Sequence, residues 1–304
     1  MDAFFCFGEK KPIINFTGGE PLLRFDLLKK AILYIRKVKD VSAEIGMVTN
    51  GTLLDKDKAD FLRKNGVFVI VSLDGGREIT DKNRIFAQGS QSVFEIVAGN
   101  LRKAGLKNPG ASLVFDKETF EHLPASLTIL QSLGLSHFSF HPRFDEVWSE
   151  KELKRLEKVF DELAGIFRNW KKKSKVFNIP DYENFRRGQQ SGGSDCQKML
   201  LGADGFFYPA CPAFFGIPLA ARKKYRLGQK KGEFSERVRG QLLGEPRKRL
   251  YPKKKISDVF CPVNGYYHCL LKNREFSGAR GSFEKISAVY KELFNEISPK
   301  NAQR

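Results

Sequence analysis

The chain has 304 residues, 41% of them hydrophobic, and 53 Lys and Arg against 35 Asp and Glu give it a net charge of +18. That length supports one large domain or a domain plus a smaller appendage, and no apolar run approaches the roughly 18–20 residues needed to span a bilayer. Met1-Asp2-Ala3-Phe4-Phe5 lacks the basic start and apolar core of a signal peptide, so a cytoplasmic location is expected.

Taken in chain order, Pro12–Phe16 is an apolar strand that runs into Thr17-Gly18-Gly19-Glu20-Pro21-Leu22-Leu23. Two adjacent glycines where a strand gives way to a helix let a ligand lie against bare backbone, and Glu20 supplies a carboxylate able to grip an ammonium group. Leu28, Ala31, Ile32, Ile35 and Val38 then recur at helical spacing, followed by a strand over Glu44–Thr49 that ends at Asn50-Gly51. Asp55 caps a short helix through Lys64, and Val67–Leu73 is the next strand, ending at Asp74-Gly75-Gly76. Val93, Ile96, Val97 and Leu101 form another apolar helical stripe before Gly105. Ala111–Phe115 is a strand, Phe120 to Leu133 a helix that contains Pro124, and His137–His141 the last strand of the series. Short strands alternating with single helices at this spacing imply an α/β domain with a parallel sheet over residues 1–148.

Glu150 to Lys173 reads as a long amphipathic helix with Leu153, Leu156, Val159, Phe160, Leu163, Ile166 and Phe167 on one side, the core of a bridging segment over 149–187. Gly188 to Asp195 is a polar linker that opens a Cys-rich region over 188–275, and a final helix over Ser282–Phe294 falls in 276–304. Cys6 stands alone, while Cys196, Cys211, Cys261 and Cys269 lie in the C-terminal third. Cysteines in a chain without an export signal leave metal binding, catalysis or burial as their uses. From Arg222 to Lys255 there are 14 basic and 3 acidic residues. This stretch is either a docking surface for an acidic peptide or a solvated loop, and the overall charge would also suit nucleic acid.

Three strand ends together resemble the radical SAM family: Gly18-Gly19-Glu20-Pro21, Thr49-Asn50-Gly51 after the next strand, and Ser72-Leu73-Asp74-Gly75-Gly76 after the one following. The resemblance implies a partial parallel (β/α) barrel that binds S-adenosylmethionine beyond the carboxyl ends of its strands. Gly18, Gly19, Glu20 and Pro21 would receive the methionine amino group; Thr49, Asn50, Ser72 and Asp74 would face cofactor or substrate. Ligands of parallel sheets sit at that end. The run from Cys196 to Cys211, with a hairpin turn at Asp204-Gly205, resembles the opening of the auxiliary module called SPASM or twitch that follows the barrel in one branch of the family. Cys261 and Cys269 would then complete a four-thiolate set for one 4Fe–4S cluster. Structural zinc and plain burial remain as alternatives, although gaps of fourteen and seven residues do not match the pairing of zinc modules.

In the family a Cys-x3-Cys-x2-Cys cluster reduces S-adenosylmethionine to a 5′-deoxyadenosyl radical, which takes a hydrogen atom from the substrate. That triplet and the first barrel strand would fall roughly one βα unit before Gly18, where this sequence has only Cys6, read as a buried thiol. Either the sequence is a piece or late start of a complete enzyme, which the intact strand ends favour, or the protein lost its catalytic cluster. In both cases a bare sheet edge is expected at Pro12–Phe16. Ala210 looks like an insertion relative to the auxiliary pattern, and Pro212 stands where sulfatase-maturing members carry an acidic residue, which argues against that activity. The resemblance points to modification of a peptide or protein, with a flavodoxin or ferredoxin as electron donor. RNA modification and a non-catalytic peptide- or cluster-binding role are the alternatives. His141, where the last strand opens toward the barrel interior, is a candidate substrate contact.

Overall fold

A computed structural model describes residues 12–38, 42–87, 89–143, 146–173, 175, 177–179, 199–202, 204–209, 226 and 276–297. The chain divides into two compact units. One holds Glu9–Arg143 with Arg155–Glu183 and Ile297–Arg304, the other Met1–Gly8, Phe144–Lys154 and Asn184–Glu296.

In the first unit the strands are β1 (Ile13–Phe16), β2 (Glu44–Thr49), β3 (Val67–Ser72), β4 (Gly110–Phe115) and β5 (His137–Pro142). They form one sheet in that order, every pair parallel. Between them run α1 (Phe25–Lys37), α2 (Lys56–Lys64), α3 (Arg77–Asn83), α4 (Val93–Ala104) and α5 (Leu123–Ser132); α6 (Glu150–Lys172) follows β5, and its part from Arg155 onward belongs to this unit. The expected α/β fold and parallel sheet are observed. Pro124 does not break its helix because it sits in the first turn of α5, where a missing N–H leaves no bond unmade. On α6, Ile166 is half-exposed, and Trp170 is buried in its place, extending the stripe of Leu156, Phe160, Leu163 and Phe167 at helical spacing. Trp170, Phe167, Phe138 and Phe177 form a ring cluster with centroids 5.6–5.7 Å apart.

Among the described residues β1 pairs only with β2, and Ile13 is 67% exposed, as expected of an open sheet edge. The other edge is partly covered, because Asn178 accepts from the Phe138 N–H at 2.8 Å and donates to the Ser136 carbonyl at 2.7 Å.

The two faces of the sheet differ. Met47, Thr49, Val69, Val71, Leu113, Phe138 and Phe140 are almost fully buried on one face. Their neighbours Val48, Phe68, Ile70, Ser72, Ser112, Ser139 and His141 are half-exposed on the other. Parallel sheets are usually covered on both faces by apolar residues. Here one face of this unit stays accessible and carries hydroxyls.

His137 lies at the amino end of that open face, edge-on to Phe68 with ring centroids 4.8 Å apart. Burial pushes its imidazole below the ordinary value, against a smaller opposing pull from the Asn108 backbone. The unfolded chain therefore takes up the proton first. This contribution to stability is complete above about pH 6.5 and is lost as pH falls through the lower folded value. Urea midpoints measured on either side of that range will fall toward acid, and His137→Phe, which keeps the ring contact, will show the smaller fall.

In the second unit β6 (Met199–Leu201) and β7 (Phe207–Pro209) pair antiparallel, and α7 spans Phe276–Glu296. The helix begins six residues before the expected Ser282, and its first turns include Gly278 and Gly281. Its Ile286, Val289, Tyr290, Leu293 and Phe294 are buried at helical spacing. Among the described residues no helix is long and apolar enough to cross a membrane.

Candidate functional site

Of the residues singled out in the sequence, Gly18, Gly19, Glu20, Pro21, Thr49, Asn50, Ser72 and Asp74 lie at the carboxyl ends of β1 to β3. Glu20 follows β1 and caps the short 3-10 turn Pro21–Arg24, its Oε1 accepting from the Leu22 N–H at 3.0 Å. Pro21 opens that turn with a φ already suited to it. The same Glu20 Oε1 accepts from Thr49 Oγ1 at 2.6 Å, and Oε2 accepts from the Asn50 N–H at 2.7 Å. One carboxylate thus ties the end of β1 to the end of β2. An ionised carboxylate offers about four lone-pair sites. Among the described residues three are filled, and the one that remains is on Oε2.

Gly18 and Gly19 stand beside this carboxylate with their backbone exposed. A Cβ built on either would meet nothing within 4 Å, so the space a side chain would fill is open to a ligand. Gly18 has φ +106°, a conformation L side chains rarely adopt.

The loop after β2 is braced on every side. Thr49 is 2% exposed, and its Oγ1 accepts from the Gly51 N–H at 3.0 Å. Asn50 Oδ1 accepts from the Thr52 N–H at 2.9 Å and from its hydroxyl at 2.8 Å. From α4, Asn100 Nδ2 donates to the carbonyls of Gly51 and Thr52, both at 3.0 Å. Sequence reasoning did not single out Asn100. Its signal was an Asn within a helix stripe, where the side chain is disfavoured relative to Ala.

Ser72 ends β3 and faces the open side of the sheet in register with Ser112, which pairs in turn with Ser139. Ser139 Oγ lies 2.7 Å from His141 Nε2. Asp74, two residues beyond Ser72, is differently engaged. It is 4% exposed, and its carboxylate receives Arg84 Nε at 2.9 Å and Nη2 at 2.8 Å, together with the Val114 N–H at 2.9 Å. Its partners are protein groups from α3's far end and from β4.

In the second unit the turn expected at Asp204-Gly205 is present, with Gly205 at φ +78°. Asp204 Oδ2 accepts from Tyr208 Oη at 2.6 Å and from Arg226 Nη2 at 2.9 Å, and the Arg226 guanidinium lies 3.7 Å from the Phe206 ring centre. Burial alone would raise the Asp204 pKa, but these donors outweigh it and hold the carboxyl below the usual range. Cys6, Cys196, Cys211, Cys261 and Cys269 all lie outside the described residues, as does most of Arg222–Lys255. Among the described residues no three His, Cys, Asp or Glu are grouped to hold a metal ion.

Residues 5–130 match the family model described as "Radical SAM superfamily". Fe-coproporphyrin III synthase of Methanosarcina barkeri is 34% identical over 145 residues, 46% of this chain and 34% of that protein. Cysteine-type anaerobic sulfatase-maturating enzyme of Clostridium novyi is 28% identical over 149 residues, 47% of this chain and 40% of that protein. The chain therefore spans well under half the length of these curated relatives. Among solved structures, native anSMEcpe with bound AdoMet superposes with a TM-score of 0.66 at 20% identity, covering 94% of this chain and 87% of that one. Streptococcus suis SuiB bound to S-adenosylmethionine gives 0.50 at 15%, covering 76% and 56%. These two share the fold. The parallel sheet and the glycine-and-carboxylate strand end lie within the segment, residues 5–130, that is similar to the radical SAM superfamily model.

Proposed function

We propose that the chain binds S-adenosylmethionine at the carboxyl ends of β1 to β3 and serves the radical modification of a peptide or protein. The observation that carries this reading is the Glu20 carboxylate, fixed by three donors beside the open backbone of Gly18 and Gly19 with one acceptor site remaining. These residues fit a methionine-type ligand: the glycines admit it, and Glu20 accepts from its ammonium group. Pro21, Thr49 and Asn50 hold Glu20 in place, and Ser72 faces the ligand from β3. Asp74 belongs to the site as the staple that fixes the β3 loop. When bound and reduced by an iron–sulfur cluster, S-adenosylmethionine supplies a 5′-deoxyadenosyl radical able to abstract a hydrogen atom.

The substrate lies along the accessible sheet face, where Ser112, Ser139 and His141 offer hydrogen bonds. A peptide or protein substrate is supported by the relative named as a sulfatase-maturating enzyme and by the structure of anSMEcpe with AdoMet and the Kp18Cys peptide, TM-score 0.63. Pro212 after Cys211 favours a target other than a sulfatase. Cys196, Cys211, Cys261 and Cys269 hold an auxiliary 4Fe–4S cluster, Arg222–Lys255 docks an acidic stretch of the substrate, and a flavodoxin or ferredoxin delivers electrons in the cytoplasm.

The test uses the polypeptide as its cell makes it, purified without oxygen. With S-adenosylmethionine and dithionite it will release 5′-deoxyadenosine, read by mass spectrometry, faster when acidic peptides are present. Absence of cleavage by protein whose clusters are verified by Mössbauer spectroscopy would leave a non-catalytic binding role. Salt-sensitive binding of RNA in preference to acidic peptide would redirect the reading to RNA modification.

A further inference from the structure

We infer that Asn100 is a positioning residue of the cofactor site, holding the Asn50–Thr52 loop against Glu20 from outside the strand ends; this rests on the reading that S-adenosylmethionine binds at Gly18–Glu20. Asn100 sits within α4, where asparagine is a poorer helix former than alanine. Its amide is turned to the neighbouring loop, and both Nδ2 hydrogens are used, on Gly51 O and Thr52 O.

One turn earlier on the same helix face, Val97 presses on the same loop. A Cβ at Gly51 would come within 2.8 Å of Val97 Cγ1 and 2.9 Å of Val71 Cγ1, so the backbone there lies directly on α4 and β3. On the site side, the Asn50 N–H donates to Glu20 Oε2, and its own Oδ1 is held by Thr52. The loop is therefore clamped between two sets of hydrogen bonds that share three consecutive residues. Release of the Asn100 set lets Gly51 and Thr52 move, and Asn50 carries that movement to the carboxylate. A merely structural Asn100 would alter stability and leave ligand affinity unchanged.

The experiment uses anaerobically purified protein with S-adenosylhomocysteine as probe, read by calorimetry, and hydrogen exchange across Thr49–Leu54. Asn100→Ala removes both donors. Asn100→Asp keeps the shape but turns oxygens toward two carbonyls. Val159→Ala on α6 is the control, a cavity at a buried position on another element. Loss of two neutral hydrogen bonds predicts about tenfold weaker binding for both Asn100 variants, with faster exchange at Asn50–Leu54. The control will bind like the unsubstituted protein. Equal affinity in Asn100→Ala, or equal weakening in the control, overturns the inference while the cofactor reading stands. No binding by the unsubstituted protein removes the cofactor reading and the role of Asn100 with it.

Discussion

Arg84→Ala will lower the stability of the sheet unit by about 3 kcal/mol, the lower end of the cost of stranding one partner of a buried ion pair. The Asp74 side chain is 3% exposed and Arg84 26%, so the arginine reaches water while the carboxylate does not. Two parallel bonds from the guanidinium, at 2.8 and 2.9 Å, neutralise a charge that could not otherwise remain in the interior. After truncation the Val114 N–H is the one donor left among the described residues, and that bond joins β3's loop to β4. Arg84→Lys will recover part of the loss, because charge is kept and the fork is not. Asp74→Asn will cost less than Arg84→Ala, since it leaves a half-exposed cation rather than a buried anion. Urea midpoints and amide exchange of β3 and β4 will rank the three. A change below about 1 kcal/mol in Arg84→Ala would mean that water reaches Asp74 freely.

The second large effect falls on Glu20. Glu20→Ala leaves the hydroxyl of buried Thr49 and the N–H groups of Asn50 and Leu22 without their acceptor. Since bonds to charged groups contribute about 1.5–3 kcal/mol each and water reaches the half-exposed site, a net loss of about 2–4 kcal/mol is expected. Glu20→Gln is the more informative substitution. Its oxygen can still serve Leu22 and Thr49, but its amide nitrogen then faces the Asn50 N–H, donor against donor. The folded protein will survive with lower stability, and affinity for S-adenosylmethionine, measured by calorimetry, will fall by about tenfold or more because the ammonium group loses its anionic partner. Unchanged affinity in Glu20→Gln would show that the carboxylate is a strap and nothing more.

Asp74 and Glu20 looked alike in the sequence, each a carboxylate at a strand end next to glycines. The structure distinguishes them by where their oxygens go. Asp74 is consumed by Arg84 and the backbone of a neighbouring strand, while Glu20 keeps an acceptor beside open backbone. The same limit applies to the sheet faces. Val67 to Ser72 is apolar almost throughout, which identifies a buried parallel strand but not which alternate residues lie beneath helices.

Length and periodicity fixed the order of strands and helices in the first half of the chain, because βα units are local and each helix stripe is written within about a dozen residues. Strand-end motifs pointed to the family for the same reason. The contacts that make a site from those motifs are not local. Glu20 meets Asn50 thirty residues away, Asp74 meets Val114 across forty, and Asn100 meets Gly51 across forty-nine. Each depends on strand register and on which helix face presses the sheet. Those are settled only when the whole unit packs, because a hydrogen-bonding partner at that distance is chosen by burial and geometry rather than by its neighbours in the chain.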